Sequence, residues 1–256
     1  MADQSANPRI AIRKLITYSQ DRAIEQCLLS FIVVLILALD TTTAAGSVAL
    51  AADARALEVT AIDPSQPVAT RVPGDLIALL DRQRVALAAV DLFAVAIGPG
   101  SFTGLRIGIA TMQGLALANG KALIGVSSFD ALASFVSAER VAVWIDAWRG
   151  EVYAATYVAG IAIEEPTVDT PEAVLARAAA SSIAATTFIG DAAVKHRSRL
   201  PGIVDPTPLL AGAIAALAHA RAAAGELPPP HAIRPLYVRR PDAEIAKGRP
   251  VKGRVT

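Results

Sequence analysis

Short apolar runs separated by turn residues dominate the first part of the chain. Residues 27–39 (CLLSFIVVLILAL) are the most apolar run. The β-branched Ile32, Val33, Val34 and Ile36 suit a strand covered on both faces. A turn at Ala45-Gly46, a strand over 47–52, a turn at Asp53-Ala54 and a strand over 55–62 complete an antiparallel meander. Residues 63–67, with two prolines, read as a loop. The spacing of Leu76, Leu79, Leu80 and Leu87 predicts a helix over 75–90. A buried strand over 92–97, a turn at 98–101 and a helix over 103–119 closed by Gly120 come next. A strand over 122–126 then leads to a helix capped by Ser127 or Ser128 and running through 136.

The pattern then starts again. Strands are predicted over 140–145 and 151–158, with a third at 160–163. A helix over 171–180 capped by Thr170 follows, then a strand over 186–189. An alanine-rich helix over 209–224 ends at Gly225. Two β-β-β-α-β-α units predict an α/β protein of two similar lobes with a cleft between them. The boundaries are 32–138 for the first lobe, 139–226 for a second, degraded copy, and 227–256 for an irregular tail opened by Pro228-Pro229-Pro230. Residues 1–31 precede the first strand and carry no motif, so they read as an extension.

Composition narrows the class. The chain has 256 residues, 54% hydrophobic and 18% charged, which excludes wholesale disorder. Cys27 is the single cysteine, which excludes a disulfide framework and fits a cytoplasmic setting. The apolar run of 13 residues is short of the ~18–20 needed to span a bilayer, so no membrane segment is expected. With Arg9, Arg13, Lys14 and Arg22 before it the run imitates a signal peptide, but Asp21 and Glu25 interrupt the basic region and no clean cleavage site follows. Arg outnumbers Lys 19 to 5, as in a GC-rich genome; the biological start is expected at a non-Met codon at Val33 or Val34. Net charge is +1, unevenly spread: from His231 onward seven Lys/Arg face two acids. Such a tail is either simply solvated or touches phosphates.

Chemistry comes next. The three histidines, His196, His219 and His231, form no metal-binding pattern, and no metal is expected. No G-x-S-x-G elbow or Walker A loop occurs. The strongest signal is the block 98–108, GPGSFTGLRIG, which leaves a strand and enters a helix. Gly98, Gly100 and Ser101 can hold an anion at a positive helix end, or can be purely architectural. Glycine within a helix costs ~1 kcal/mol, so two small-residue rows, Gly104/Gly108 and Ala110/Gly114/Ala118, need a reason. One row can pack on the lobe's own sheet and the other can face a partner. Asp40, followed by Thr41 and Thr42, and Asp146 end the first strand of each lobe, at the same point and facing the cleft; they are candidate metal or phosphate ligands, or turn caps. Trp148 and Arg149 fall at a hairpin tip, where an exposed aromatic–Arg pair favours an interface and a packed Trp is the plainer reading.

Residues 36–42 (ILALDTT), the 98–108 block, Asp146-Ala147 with 149–153 (RGEVY), Gly190-Asp191-Ala192 and 235–239 (PLYVR) together resemble the bacterial TsaB family, also called YeaZ. The resemblance runs from about residue 33 to 241. It implies a two-lobe actin-like ATPase (ASKHA) fold, shared with acetate and sugar kinases. It implies a non-catalytic subunit of the TsaD-type threonylcarbamoyltransferase, needed for threonylcarbamoyladenosine beside the anticodon of tRNAs reading codons that begin with A. Implied partners are the TsaD-type subunit, a TsaE-type ATPase and tRNA through the complex, with a homodimer when the partner is absent. ATP or ADP with magnesium is implied only at the level of the complex. The family's interface is a helix bundle of the first lobes, which here implies Leu76, Leu79, Leu80, Gly104, Arg106, Gly108, Thr111, Met112 and Leu115.

This sequence also departs from the TsaD pattern. Where TsaD-like chains carry His-x-x-x-His, residues 126–132 read VSSFDAL, with Asp130 alone. Family members often show a histidine in the segment that here reads RVPGD over 71–75. The alternative function is an autonomous nucleotide-dependent transferase or kinase resting on Asp40, Asp146 and the 98–101 turn. A glycoprotease, an older label for relatives, lacks both nucleophile and ligands here.

Overall fold

The computed structural model describes residues 33–43, 45–62, 66–178 and 186–239. The expectations for residues 1–31, for the start of the chain and for the tail beyond Arg239 lie outside the described residues.

The first sheet joins β1 (Leu35–Asp40), β2 (Ser47–Ala52), β3 (Arg55–Ala61), β4 (Leu92–Gly98) and β5 (Ala122–Ser127). Their order is β3-β2-β1-β4-β5; the meander is antiparallel, and β4 and β5 run parallel to β1. The second sheet contains β6 (Arg140–Asp146), β7 (Val152–Val158), β8 (Ile161–Ala162), β9 (Thr167–Asp169), β10 (Thr186–Ile189) and β11 (Ile203–Val204). Its order is β11-β10-β6-β7-β8, with β9 also paired to β7. Again an antiparallel meander is extended by two parallel strands. The two lobes thus repeat one topology, which is the actin-like arrangement expected. Strands β9 and β11 were not anticipated; at three and two residues they are too short for a period to show.

Strand β1 explains why its run is apolar throughout. Leu37 and Leu39 enter a core under α1 (Val68–Arg82) and α2 (Phe102–Ala118), while Ile36 and Ala38 enter the opposite one. That second core is shared between lobes. It gathers Val141, Val143, Ile145 and Tyr153 of the second sheet, with α3 (Ser128–Ala133) and α6 (Ala211–Ala223). The outer face of the second sheet, with Trp144 and Phe188 edge-on at 5.7 Å, is covered by α4 (Pro171–Ala178) and α5 (Asp191–Lys195).

Helix α3 ends at Ala133, short of the expected 136, and α5 was not anticipated; two larger placements also differ from expectation. Helix α1 spans 68–82, not 75–90. It runs straight through Pro73, which is solvent-facing, because Val72 and Leu76 bury on one side of it; that burial outweighs the backbone bond the proline removes. The helix stops where Arg84 turns left-handed (φ 52°), and Leu87 falls in a separate 3₁₀ turn. Helix α6, assigned to the second lobe by position, lies instead against the first sheet. Its Ala211 N–H donates to Ser47 Oγ (3.0 Å), and Gly212 sits over Val59. The 139–226 boundary therefore needs that amendment. Among the described residues no helix is long and apolar enough to cross a membrane.

Candidate functional site

The end of β1 and the start of α2 meet in one knot. Asp40 is fully buried, and both its oxygens are engaged. Oδ1 accepts from Thr42 N–H (2.8 Å) and Thr42 Oγ1 (2.6 Å), and Oδ2 accepts from Thr43 Oγ1 (2.7 Å). Burial pushes its carboxyl above the ordinary range, against those bonds. Thr42 Oγ1 also contacts Ser128 Oγ at 3.0 Å, tying the turn to α3. The carboxylate is the cap of a turn. The expectation that Asp40 faces the cleft is corrected: no oxygen of it is open to a metal-bound water or phosphate.

Gly100 and Ser101 press on the same turn. Ser101 N–H donates to the Thr42 carbonyl (2.8 Å), and a Cβ on Gly100 would lie 2.4 Å from that oxygen. Ser101 caps α2 by accepting from Gly104 N–H (3.2 Å), a cap that contributes about 1 kcal/mol. Gly98 lies between the Leu105 side chain and the Leu236 carbonyl. The structure thus gathers Asp40, Thr41, Thr42, Gly98, Gly100 and Ser101. The N–H groups of Ser101 and Gly104 are already satisfied internally. The architectural reading of the turn describes this geometry.

Asp146 belongs to a separate network. Its Oδ1 accepts from Trp148 N–H (2.8 Å) and its Oδ2 pairs with Lys195 Nζ (2.8 Å). Burial opposes its charge, but the Lys195 bond and the Trp148 N–H prevail and hold it below the usual carboxylate range. Asp191 behind it accepts from the N–H groups of Asp146 and Ala192, and burial raises its carboxyl. Among the described residues no group of three His, Cys, Asp or Glu side chains could hold a metal ion. Asp130, alone in sequence, accepts from the Tyr157 hydroxyl (2.6 Å).

The helix rows resolve clearly. Gly104 and Gly108 face inward onto Thr41: their Cβ atoms would lie 2.0 Å from its carbonyl oxygen and 2.2 Å from its Oγ1. Leu79 and Met112 are fully buried in the lobe's own core, and Leu76 and Leu80 are nearly so. As outward interface residues Leu79, Gly104, Gly108 and Met112 are therefore corrected, because the sheet claims that face. The other row is the open one. Ala110, Thr111, Gly114 and Leu115 of α2 line a groove of about 480 Å³ with the edges of Leu76 and Leu80 and with Pro73, Ile77, Val85 and Leu87. A Cβ on Gly114 would meet nothing within 4 Å. Ile77 and Val85 were missed, since a helix drawn from 75 to 90 put the apolar stripe on one face only. Arg106 stands apart from the groove. Its guanidinium lies 4.0 Å from the Phe102 ring centre, and its Nε donates to the Tyr237 hydroxyl (3.1 Å).

Residues 230–239 form a strap that the sequence could not place. Gln113 Nε2 donates to the Pro230 and Ile233 carbonyls, Leu236 N–H donates to Ile97 (2.7 Å), and Arg239 pairs with Glu151 of the second lobe.

The family model for TsaD, tRNA N6-adenosine threonylcarbamoyltransferase, matches residues 69–196. An uncharacterized Mycobacterium leprae protein is 33% identical over 82% of this chain and 56% of its own length. The Escherichia coli tRNA threonylcarbamoyladenosine biosynthesis protein TsaB is 40% identical over 48% of this chain and 54% of its own length. The chain thus spans a little over half of each of these two relatives. The crystal structure of YeaZ from Pseudomonas aeruginosa, 36% identical, superposes with a TM-score of 0.68 over 80% of this chain and 99% of that one. With the repeated β3-β2-β1-β4-β5 topology, the glycine block locked on the β1 turn and this near-complete match, the chain belongs to the TsaB (YeaZ) family.

Proposed function

We propose that this chain acts in tRNA threonylcarbamoyladenosine biosynthesis as the non-catalytic partner subunit of a TsaD-type threonylcarbamoyltransferase. The observation that carries this reading is the outward groove between α1 and α2. It is almost wholly apolar, lies on two adjacent helices, and has a glycine floor at Gly114 that lets another helix approach closely. Thr111 and Leu115 keep the interface role implied for them, and Leu76 and Leu80 offer only their edges. The Asp40 knot supports the same reading from the other side, because its carboxylate and hydroxyls are spent on each other. ATP or ADP with magnesium, the TsaE-type ATPase and tRNA then engage the assembled complex, in the cytoplasm, and without a partner the same groove closes on a second copy.

The test is the light-scattering mass of the full chain mixed with the TsaD-type protein of its own organism. A one-to-one complex is expected. Ile77, 60% exposed in the groove wall, is the residue to change. Ile77→Glu places a charge in an apolar seam and abolishes the complex while the melting temperature holds. Two separate species, with ATP, magnesium and the TsaE-type protein present, overturn the reading in favour of an autonomous nucleotide-dependent enzyme.

A further inference from the structure

We propose that a pocket at the seam of the two lobes binds a small organic cation, a primary ammonium group on a short apolar body. The proposal does not rest on the partner reading above, because this pocket shares no lining residue with the α1–α2 groove.

The pocket has a volume of about 230 Å³ and draws on every part of the hinge. The first lobe supplies Val126 near the end of β5 and Asp130 of α3, and the second supplies Val141 of β6 and Tyr157 of β7. Val136 comes from the segment that joins the lobes, and Leu217 and Arg221 of α6 close one side. Val126, Val141 and Tyr157 are buried in the core shared between the lobes, and Val136 and Leu217 pack against it. The apolar wall is therefore held in place from both sides. Its side chains do not meet, and the gap exceeds the ~150 Å³ cavity that takes a benzene ring, so a branched body of about five carbons fits. Asp130 and Arg221 are exposed, and the mouth opens to water on their side.

One carboxylate borders this apolar wall without a counter-charge. Asp130 Oδ1 accepts from the Tyr157 hydroxyl (2.6 Å), while Oδ2 has no partner and Asp130 makes no ion pair among the described residues. Burial first, and then the Asp130 carboxylate, raises the Tyr157 hydroxyl above the ordinary phenol range, so it stays protonated and donates. That bond needs only one neutral acceptor. The carboxylate adds a charge that the fold leaves unpaired beside apolar walls, where a charge is costly unless matched. Arg221, the other charged side chain of the lining, is spent elsewhere. Its Nη1 donates to the Gly125 carbonyl (2.6 Å), and its Nε and Nη2 each engage Glu226 at 2.8 Å. Glu226 cancels Arg221, and the pocket keeps the charge of Asp130. An ammonium group supplies a charge-assisted hydrogen bond to Oδ2 while its body fills the gap. A neutral or anionic ligand of the same shape leaves the carboxylate unmatched. Because such an occupant touches both lobes and the segment between them, it also stabilises their present arrangement.

The test titrates the full chain at neutral pH with isoamylammonium, isoamyl alcohol and isocaproate, which share one branched tail and differ in charge. Isothermal calorimetry gives the affinities. A hydrogen bond to a charged group corresponds to roughly 10- to 150-fold in affinity, so the alcohol should bind more weakly than the amine by that factor and isocaproate should not bind. Asp130→Asn keeps an acceptor for Tyr157 and removes the charge, so it should bring the amine down to the level of the alcohol. Ala133→Leu places carbon in the gap and should abolish binding of both. The amine should also raise the melting temperature of wild type and leave that of Ala133→Leu unchanged. Equal affinity for amine and alcohol, no binding of the amine at millimolar concentration, or amine binding that survives either substitution overturns the proposal. If Asp130→Asn does not fold, the three ligands on wild type and on Ala133→Leu decide by themselves. None of these readouts involves the TsaD-type protein, so failure of the partner reading leaves this result standing, and the reverse.

Discussion

Three glycines on α2 should respond to alanine with three different signs. Alanine gains about 1 kcal/mol over glycine in a helix interior. At Gly114 nothing opposes that gain, because the new methyl meets open space. Gly114→Ala should stabilise by up to ~1 kcal/mol, or about 2–4 °C in a protein of this size. At Gly108 the methyl would lie 2.2 Å from Thr41 Oγ1, which can rotate away. Rotation breaks the 2.8 Å bond from Thr41 Oγ1 to the Gly104 carbonyl, a loss of about 1 kcal/mol that offsets the helix gain. At Gly104 the methyl would lie 2.0 Å from the Thr41 carbonyl, which is backbone and belongs to the Asp40 turn. Overpacking there costs about 1–3 kcal/mol or more and exceeds the helix gain. Thermal melting followed by far-ultraviolet circular dichroism should rank Gly114→Ala above wild type, Gly108→Ala level with it and Gly104→Ala several degrees below. A Gly104→Ala protein as stable as wild type would refute the packing of α2 on Thr41. A destabilised Gly114→Ala would refute the assignment of the outward face.

Further outcomes follow from the polar contacts. Asp146 sits below its ordinary value when folded, so its contribution is complete above about pH 4, the usual carboxylate range, and is lost as the pH falls below that; Lys195→Ala should blunt this acid loss in melts across pH 2–6. Asp40 has the opposite sign: its raised carboxyl favours the folded protein as pH falls through that value, and Asp40→Asn should flatten that rise. Ser47→Ala leaves the buried Ala211 N–H without its acceptor and should cost about 1–3 kcal/mol in urea unfolding, whereas Ser47→Thr should partly retain the bond. Arg239→Ala frees the strap from the second lobe, and limited proteolysis should then cut residues 230–239 faster, with no change if the Glu151 pair anchors nothing.

Elements with a strong period were legible in the sequence. The meander, the buried β4 and the Ser101-capped α2 fall within a residue or two of their expected bounds, because their apolar spacing and end signals agree. What failed was the choice between faces. Gly104/Gly108 and Ala110/Gly114/Ala118 are equivalent as spacing, and only the position of Thr41, about 60 residues upstream, decides which is buried. Leucine spacing alone sets the expected helix over 75–90; it extends the helix to Leu87 and leaves out the first turns over 68–74, where Val72 is buried by tertiary packing. The chemistry around Asp40 was visible as residue types, but whether a carboxylate caps its own turn or faces a cleft depends on hydroxyls at positions 42 and 43 closing on it.

Helix α6 has a consequence for how the protein is made. Ile36, Ala38, Ala49 and Ala51 on the first sheet share their core with Leu210, Ala211 and Ile214, which the ribosome adds some 80 residues after β5 is finished. At roughly 5–20 residues per second, that delay lasts several seconds. Throughout it, the nascent first lobe carries an open hydrophobic face. The lobe that leaves the ribosome first is thus completed by one of the last helices to emerge, and a cell making this protein must shield that face until translation is nearly over.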